Sequence, residues 1–87
     1  AQGRVVVNDF SLFYDENGPA GAFAACGDGV LRAVTFGGES LWTAQADPST
    51  CYFAAVSPGG KKIATSGTDG ALRIFGTDGK LLRRIGG

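Results

Sequence analysis

An all-β fold of two four-stranded antiparallel units is predicted by three observations. Apolar and β-branched stretches of four to seven residues alternate with turn clusters along the chain: DENGPAG, GDG, FGGE, ADPST, SPGG, GTDG and TDGK. No run of ten or more residues shows an apolar 3.6-residue period between caps, so no helix is expected. The whole pattern also repeats once, at a spacing of about 40 residues.

Taken in order, the first strand is expected at 4–8 (RVVVN), which is β-branched, and the second at 10–14 (FSLFY), which runs into the Asn17-Gly18-Pro19 turn. Strands at 21–26 (GAFAAC) and 30–36 (VLRAVTF) flank the turn Asp28-Gly29, and 40–46 (SLWTAQA) follows Gly37-Gly38. After Asp47-Pro48 come 51–57 (CYFAAVS) and 61–66 (KKIATS), joined by Ser57 to Gly60, where Pro58 presets φ at the first corner. The last two, 71–76 (ALRIFG) and 80–85 (KLLRRI), are bounded by Asp69-Gly70 and Asp78-Gly79. Several of these strands are apolar or small at every position, which predicts cover on both faces.

Composition excludes several classes. Among 87 residues, 44% are hydrophobic and 18% charged, with no apolar run long enough to cross a membrane, so no membrane partner is expected. The absence of histidine removes a standard zinc site, and Cys26 and Cys51 permit at most one disulfide. Two free, half-buried thiols in a reducing, cytoplasmic compartment are expected. Net charge is zero but unevenly spread: residues 1–50 carry six acidic against two basic residues, and residues 51–87 the reverse. Neither half has a dense basic run with interleaved aromatics, so no nucleic acid is expected as a partner. The chain opens on Ala1 without a charged segment followed by an apolar core; no targeting leader is expected, and a processed chain or a piece of a longer protein is.

The repeat organises the rest. FAACGDGVLRAVTFGGESLW (23–42) lies over IATSGTDGALRIFGTDGKLLR (63–83) when Thr68 is taken as one inserted residue, so that Gly27 matches Gly67 and Asp28, Arg32 and Leu41 match Asp69, Arg73 and Leu82. A four-stranded unit of about 40 residues is the signature of a β-propeller blade, which has two apolar faces and can bury neither alone. The expected division is an extra N-terminal strand or linker over 1–9, a first blade over 10–46 and a second over 47–87.

The second copy, FAAVSPGGKKIATSGTDGALRIFGTDGKLLRRI (53–85), resembles a WD-repeat blade, with Phe75-Gly76 where that superfamily has Trp-Asp and Gly59 at its common turn Asp. In regular WD repeats a His, an Asp, a Ser or Thr and the Trp form a buried hydrogen-bond set; the His has no counterpart here, which leaves Asp28 and Asp69 as turn residues. The resemblance implies a protein–protein interaction scaffold rather than an enzyme, with no cofactor. Its rim loops, at 27–29, 46–50 and 67–70, would face partners through Asp28, Asp47, Pro48, Thr68 and Asp69.

Two blades do not close a ring, and an exposed apolar face of several hundred Å² costs roughly ten kcal/mol at about 25 cal/mol per Å². The remaining blades would come from the same longer chain, from identical copies or from a partner subunit. Two other functions fit the architecture: a homo-oligomeric propeller that binds carbohydrate, for which Trp42 is the candidate aromatic contact, and a fragment of a propeller oxidoreductase.

Other chemistry is weaker. Asp9, Asp15, Glu16 and Asn17 lack the alternating carboxylates of a calcium loop, and SPGGKK has Ala55 and Lys62 where a phosphate loop needs Gly and Ser or Thr. Without histidine, neither the Ser and Thr hydroxyls nor the two thiols form a nucleophile–base pair. Arg32 and Arg73, recurring at one strand position, are read as a packing feature.

Overall fold

A computed structural model of the chain describes residues 5–87. It contains eight strands: β1 (Val7–Asp15), β2 (Gly18–Cys26), β3 (Val30–Thr35), β4 (Ser40–Gln45), β5 (Cys51–Val56), β6 (Lys62–Gly67), β7 (Leu72–Gly76) and β8 (Leu81–Ile85). They form two four-stranded antiparallel meanders, β1-β2-β3-β4 and β5-β6-β7-β8. The predicted all-β class and strand count per sheet therefore hold, and no described residue is helical.

The first two expected strands, 4–8 and 10–14, are one. From Val7 to Asp15 the chain is a single strand, so the boundary expected between residues 9 and 10 falls inside β1; Arg4 lies outside the described residues. A bulge at Asn8, where pairing passes from Val7↔Cys26 to Asp9↔Ala25, falls at the polar pair Asn8-Asp9 that reads as a break in the sequence. β5 has the same bulge at Tyr52, between Cys51↔Gly67 and Phe53↔Ser66.

The two sheets repeat each other more closely than the aligned sequences do. Ala24 pairs with Arg32 and Thr65 with Arg73, which places β6 and β7 41 residues after β2 and β3. The β2–β3 turn is closed by Gly29 N–H to Cys26 O and the β6–β7 turn by Gly70 N–H to Gly67 O, again 41 apart. Thr68 is therefore no insertion: it is the counterpart of Gly27, and Phe23 corresponds to Ala64 rather than to Ile63. This correction matters because a slip of one residue moves every side chain to the other face.

One core lies between the sheets. Phe23, Ala25, Leu31 and Ala33 of the first sheet meet Cys51, Ala54, Ile63 and Phe75 of the second, with Phe13, Trp42 and Val56 at its margin. Phe13 and Phe23 pack with ring centroids 4.9 Å apart, which is close aromatic contact. Gly21 lies under Phe13, where a Cβ would collide with the ring.

Strand alternation then fixes which residues face away from this core. Phe10, Leu12, Ala22, Ala24, Arg32 and Val34 share the far face of the first sheet, and Phe53, Ala55, Ala64, Leu72 and Ile74 the far face of the second. Phe10 and Phe53 are 59% and 63% exposed, a cost that an enclosed sheet would not carry.

Candidate functional site

The expected partner-facing loops do come together, around one carboxylate. Asp47, in the segment from β4 to β5, accepts from the Ser49 N–H at 2.8 Å and the Thr50 N–H at 3.1 Å through Oδ1, an Asx turn that reverses the chain. The same oxygen accepts from Thr68 Oγ1 at 2.6 Å, and Oδ2 accepts from the Asp69 N–H at 3.1 Å. One side chain thus ties the β4–β5 segment to the β6–β7 turn. Gly67 leaves it room, since a Cβ there would strike the Asp47 carboxylate. Gly29, at φ +85°, lies against the Asp47 carbonyl with similar closeness.

Asp47 is not partner-facing: only 1% of it is exposed, so the expectation from the sequence is corrected. A loop carboxylate reads as solvated, but four donors here replace its water. Burial pushes its carboxyl up and the Asp69 charge adds to that; bonds from Thr68, Ser49 and Asp69 outweigh both and hold it below the ordinary value.

Asp28 and Asp69 occupy equivalent turns and make equivalent bonds. Asp28 accepts from the Val30 N–H and receives Arg32 in a bidentate pair at 2.9 and 2.8 Å. Asp69 accepts from the Ala71 N–H and receives Arg73 at 3.2 and 2.7 Å. The recurring arginines are thus strand-to-turn clamps. Arg32 holds the Asp28 carboxyl below its usual value, and Arg73, with the Ala71 N–H, holds that of Asp69 well below. Only the second clamp is enclosed: Arg73 Nη1 also donates to Ala46 O at 3.0 Å, whereas Asp28 and Arg32 lie on the free side of the first sheet.

Pro48 and Thr68 are exposed on this rim, although the Thr68 hydroxyl is engaged by Asp47. Thr50 Oγ1 donates to Gly27 O at 3.1 Å and brings the remaining loop, 27–29, to the same end. Asp28, Pro48 and Thr68 are the expected rim residues that reach solvent, with Asp69 half-buried behind them.

Trp42 is drawn into the contact between sheets. Its indole stacks on Phe23 with centroids 5.7 Å apart, donates from Nε1 to Thr77 O at 2.9 Å and lies against Gly79. Packing, not a free platform, accounts for this aromatic. Asp15 likewise accepts from the Asn17 N–H in a simple turn.

Three contacts were not legible in the sequence. Asn8 Nδ2 donates to Cys51 O at 2.9 Å, Asp9 Oδ2 accepts from the Ala54 N–H at 3.1 Å, and Ser11 Oγ accepts from the Val56 N–H at 3.3 Å. Polar side chains of β1 therefore satisfy backbone groups along the outer edge of β5. The polar residues Asn8, Asp9 and Ser11 in an otherwise apolar stretch were the available signal, but nothing local indicated the distant strand.

Both thiols are free and fully buried rather than half-buried. Burial, with the Asp47 charge nearby, pushes the Cys51 thiol up to about 11, away from thiolate chemistry. Outside the Asp47 rim, a groove of about 680 Å³ runs along β1 beside the Ser57 to Gly60 turn, lined by Phe10, Leu12, Tyr14 and Val56 among others. No model of a known protein family matches the chain, and no curated protein matches it.

Proposed function

We propose that the two sheets are adjacent WD-repeat-like blades of a β-propeller, and that the chain serves as a protein–protein interaction scaffold, as part or subunit of a larger ring. The observation that carries this reading is the use of opposite faces. The face that the second sheet turns to the first, with Ala54, Thr65 and Arg73, corresponds by ladder position to the outward face of the first, with Phe10, Ala24 and Arg32. A contact of that kind can be repeated around a ring, whereas two sheets joined by like faces would form a closed sandwich.

The hydrogen-bond set at Asp47 supports the same reading. WD-like blades are locked by a buried polar set that includes a His, and in this chain a buried carboxylate bonded to a Thr and a turn Asp amide stands in that role. Scaffolding follows from where the rigid parts lie: Asp47 fixes loops 27–29, 46–50 and 67–70 into one rim, leaving Asp28, Pro48 and Thr68 exposed for other proteins.

A photo-crosslinking residue at Pro48, in cells that make the protein, tests this. A discrete adduct with a different protein is expected, absent when the residue is placed at Glu16 on the opposite end, where any adduct would be with a second copy of this chain. Pro48→Arg with Ser49→Arg should weaken binding of that protein at least tenfold without changing the circular dichroism. Binding that ignores both substitutions would overturn the rim as the docking surface.

A further inference from the structure

The two outer faces are equivalent, by ladder position, to the two faces that meet within the chain. Sheet positions in β5 follow β1 by 44 residues, and those in β6 and β7 follow β2 and β3 by 41. Applied to the free surfaces, these offsets make the outer face of the second sheet the counterpart of the face that the first sheet already uses to cover the second. Phe53, Ala55, Ala64 and Ile74 correspond in this way to Asp9, Ser11, Phe23 and Ala33. The outer face of the first sheet, with Phe10, Leu12, Ala24 and Val34, is in turn the counterpart of the face that is covered.

We infer that a second copy of this chain covers the outer face of the first sheet with the outer face of its own second sheet, head to tail, so that three or four copies close a ring of about six to eight blades, within the size range of propellers. This deepens the blade reading and rests on it. The contact inside the chain is its template, and continuity with that contact is the first argument.

Charge is the second. At the end of the molecule away from Asp47, the exposed charged residues of the first sheet are Asp15, Glu16 and Glu39, all acidic, and those of the second are Lys61, Lys62 and Lys80 against Asp78, a basic balance. A head-to-tail neighbour sets its basic turns beside the acidic ones. A like-face contact between two first sheets sets acid against acid.

Light scattering on the purified 87-residue chain, with far-ultraviolet circular dichroism on the same peak, tests the inference alongside two single-face variants. Phe10→Arg blocks the outer face of the first sheet and Phe53→Arg that of the second; both side chains are exposed, so each monomer is expected to keep its β spectrum. The unsubstituted chain should give three or four times 8.9 kDa, each variant alone 8.9 kDa, and an equal mixture twice 8.9 kDa, because one intact face from each variant can still meet. A folded β-rich monomer of the unsubstituted chain, or an aggregate without a defined mass, would overturn the second-copy inference and leave the blade reading standing. A Phe53→Arg variant that still dimerises would show like-face pairing, and would overturn the blade reading as well.

Discussion

Thr68 Oγ1 lies 2.6 Å from Asp47 Oδ1, a hydrogen bond across 21 residues of sequence that joins the β6–β7 turn to the segment leaving the first sheet. Replacing Asp47 by Ala removes the acceptor of the Ser49 and Asp69 amides and of the Thr68 hydroxyl and leaves the Thr50 amide only its longer bond to Thr68 Oγ1, and should cost about 2–4 kcal/mol. Thr68→Val removes one donor and should cost about 1 kcal/mol. Urea denaturation measures both, and equal losses would contradict the central place of the carboxylate.

Acid should weaken the molecule through these same groups. The carboxyls of Asp47, Asp69 and Asp28 are all held below the ordinary value of 3.8, so each is more readily protonated in the unfolded chain than in the folded one. Their contribution to stability is present above about pH 4 and is lost as pH falls through the folded values. Denaturation midpoints should be level from about pH 5 to 7 and decline below about 4, and less steeply in Asp69→Asn.

The buried thiols predict slow chemistry. Cys51 is raised to about 11 by burial, and Cys26 is equally enclosed, so a maleimide at neutral pH should label neither in the folded protein and both in urea. Because the folded thiol of Cys51 titrates above its ordinary value of 9.0, stability should be held below that pH and fall as pH rises from 9.0 toward 11. Rapid labelling of the folded chain would show that the core opens easily.

Two glycines are expected to be intolerant for different reasons. Gly67→Ala drives a methyl into the Asp47 carboxylate, and Gly79→Ala combines φ +88° with contact on the Trp42 ring. Each should cost about 1–3 kcal/mol. Gly79→Ala should also change the emission of Trp42, the only tryptophan, while Gly67→Ala should leave it nearly unchanged.

Turn chemistry made most of the fold readable, since Asp-Gly and Gly-Gly pairs bracket strands within a few residues of their observed ends. The offset between the sheets was not readable. Phe23 and Ile63 are both large and apolar, so aligning them by character is natural, yet one faces the second sheet and the other the first. Asp47 was misread for a related reason: DPST has the composition of a solvated turn, and only the β6–β7 turn, distant in sequence, encloses it. The polar face of β1 was likewise silent, because its acceptors and donors lie on β5.

The two sheets repeat one ladder register, with β5 44 residues after β1 and β6 and β7 41 after β2 and β3, and they meet through opposite faces; nuclear Overhauser contacts test this arrangement. Cross-strand contacts are expected between Ala24 and Arg32 and, in the same register, between Thr65 and Arg73, together with a contact from Trp42 Hε3 to Gly79 Hα. A ladder that pairs Ala64 with Arg73 instead, or a Trp42 indole without contacts to the second sheet, would contradict it.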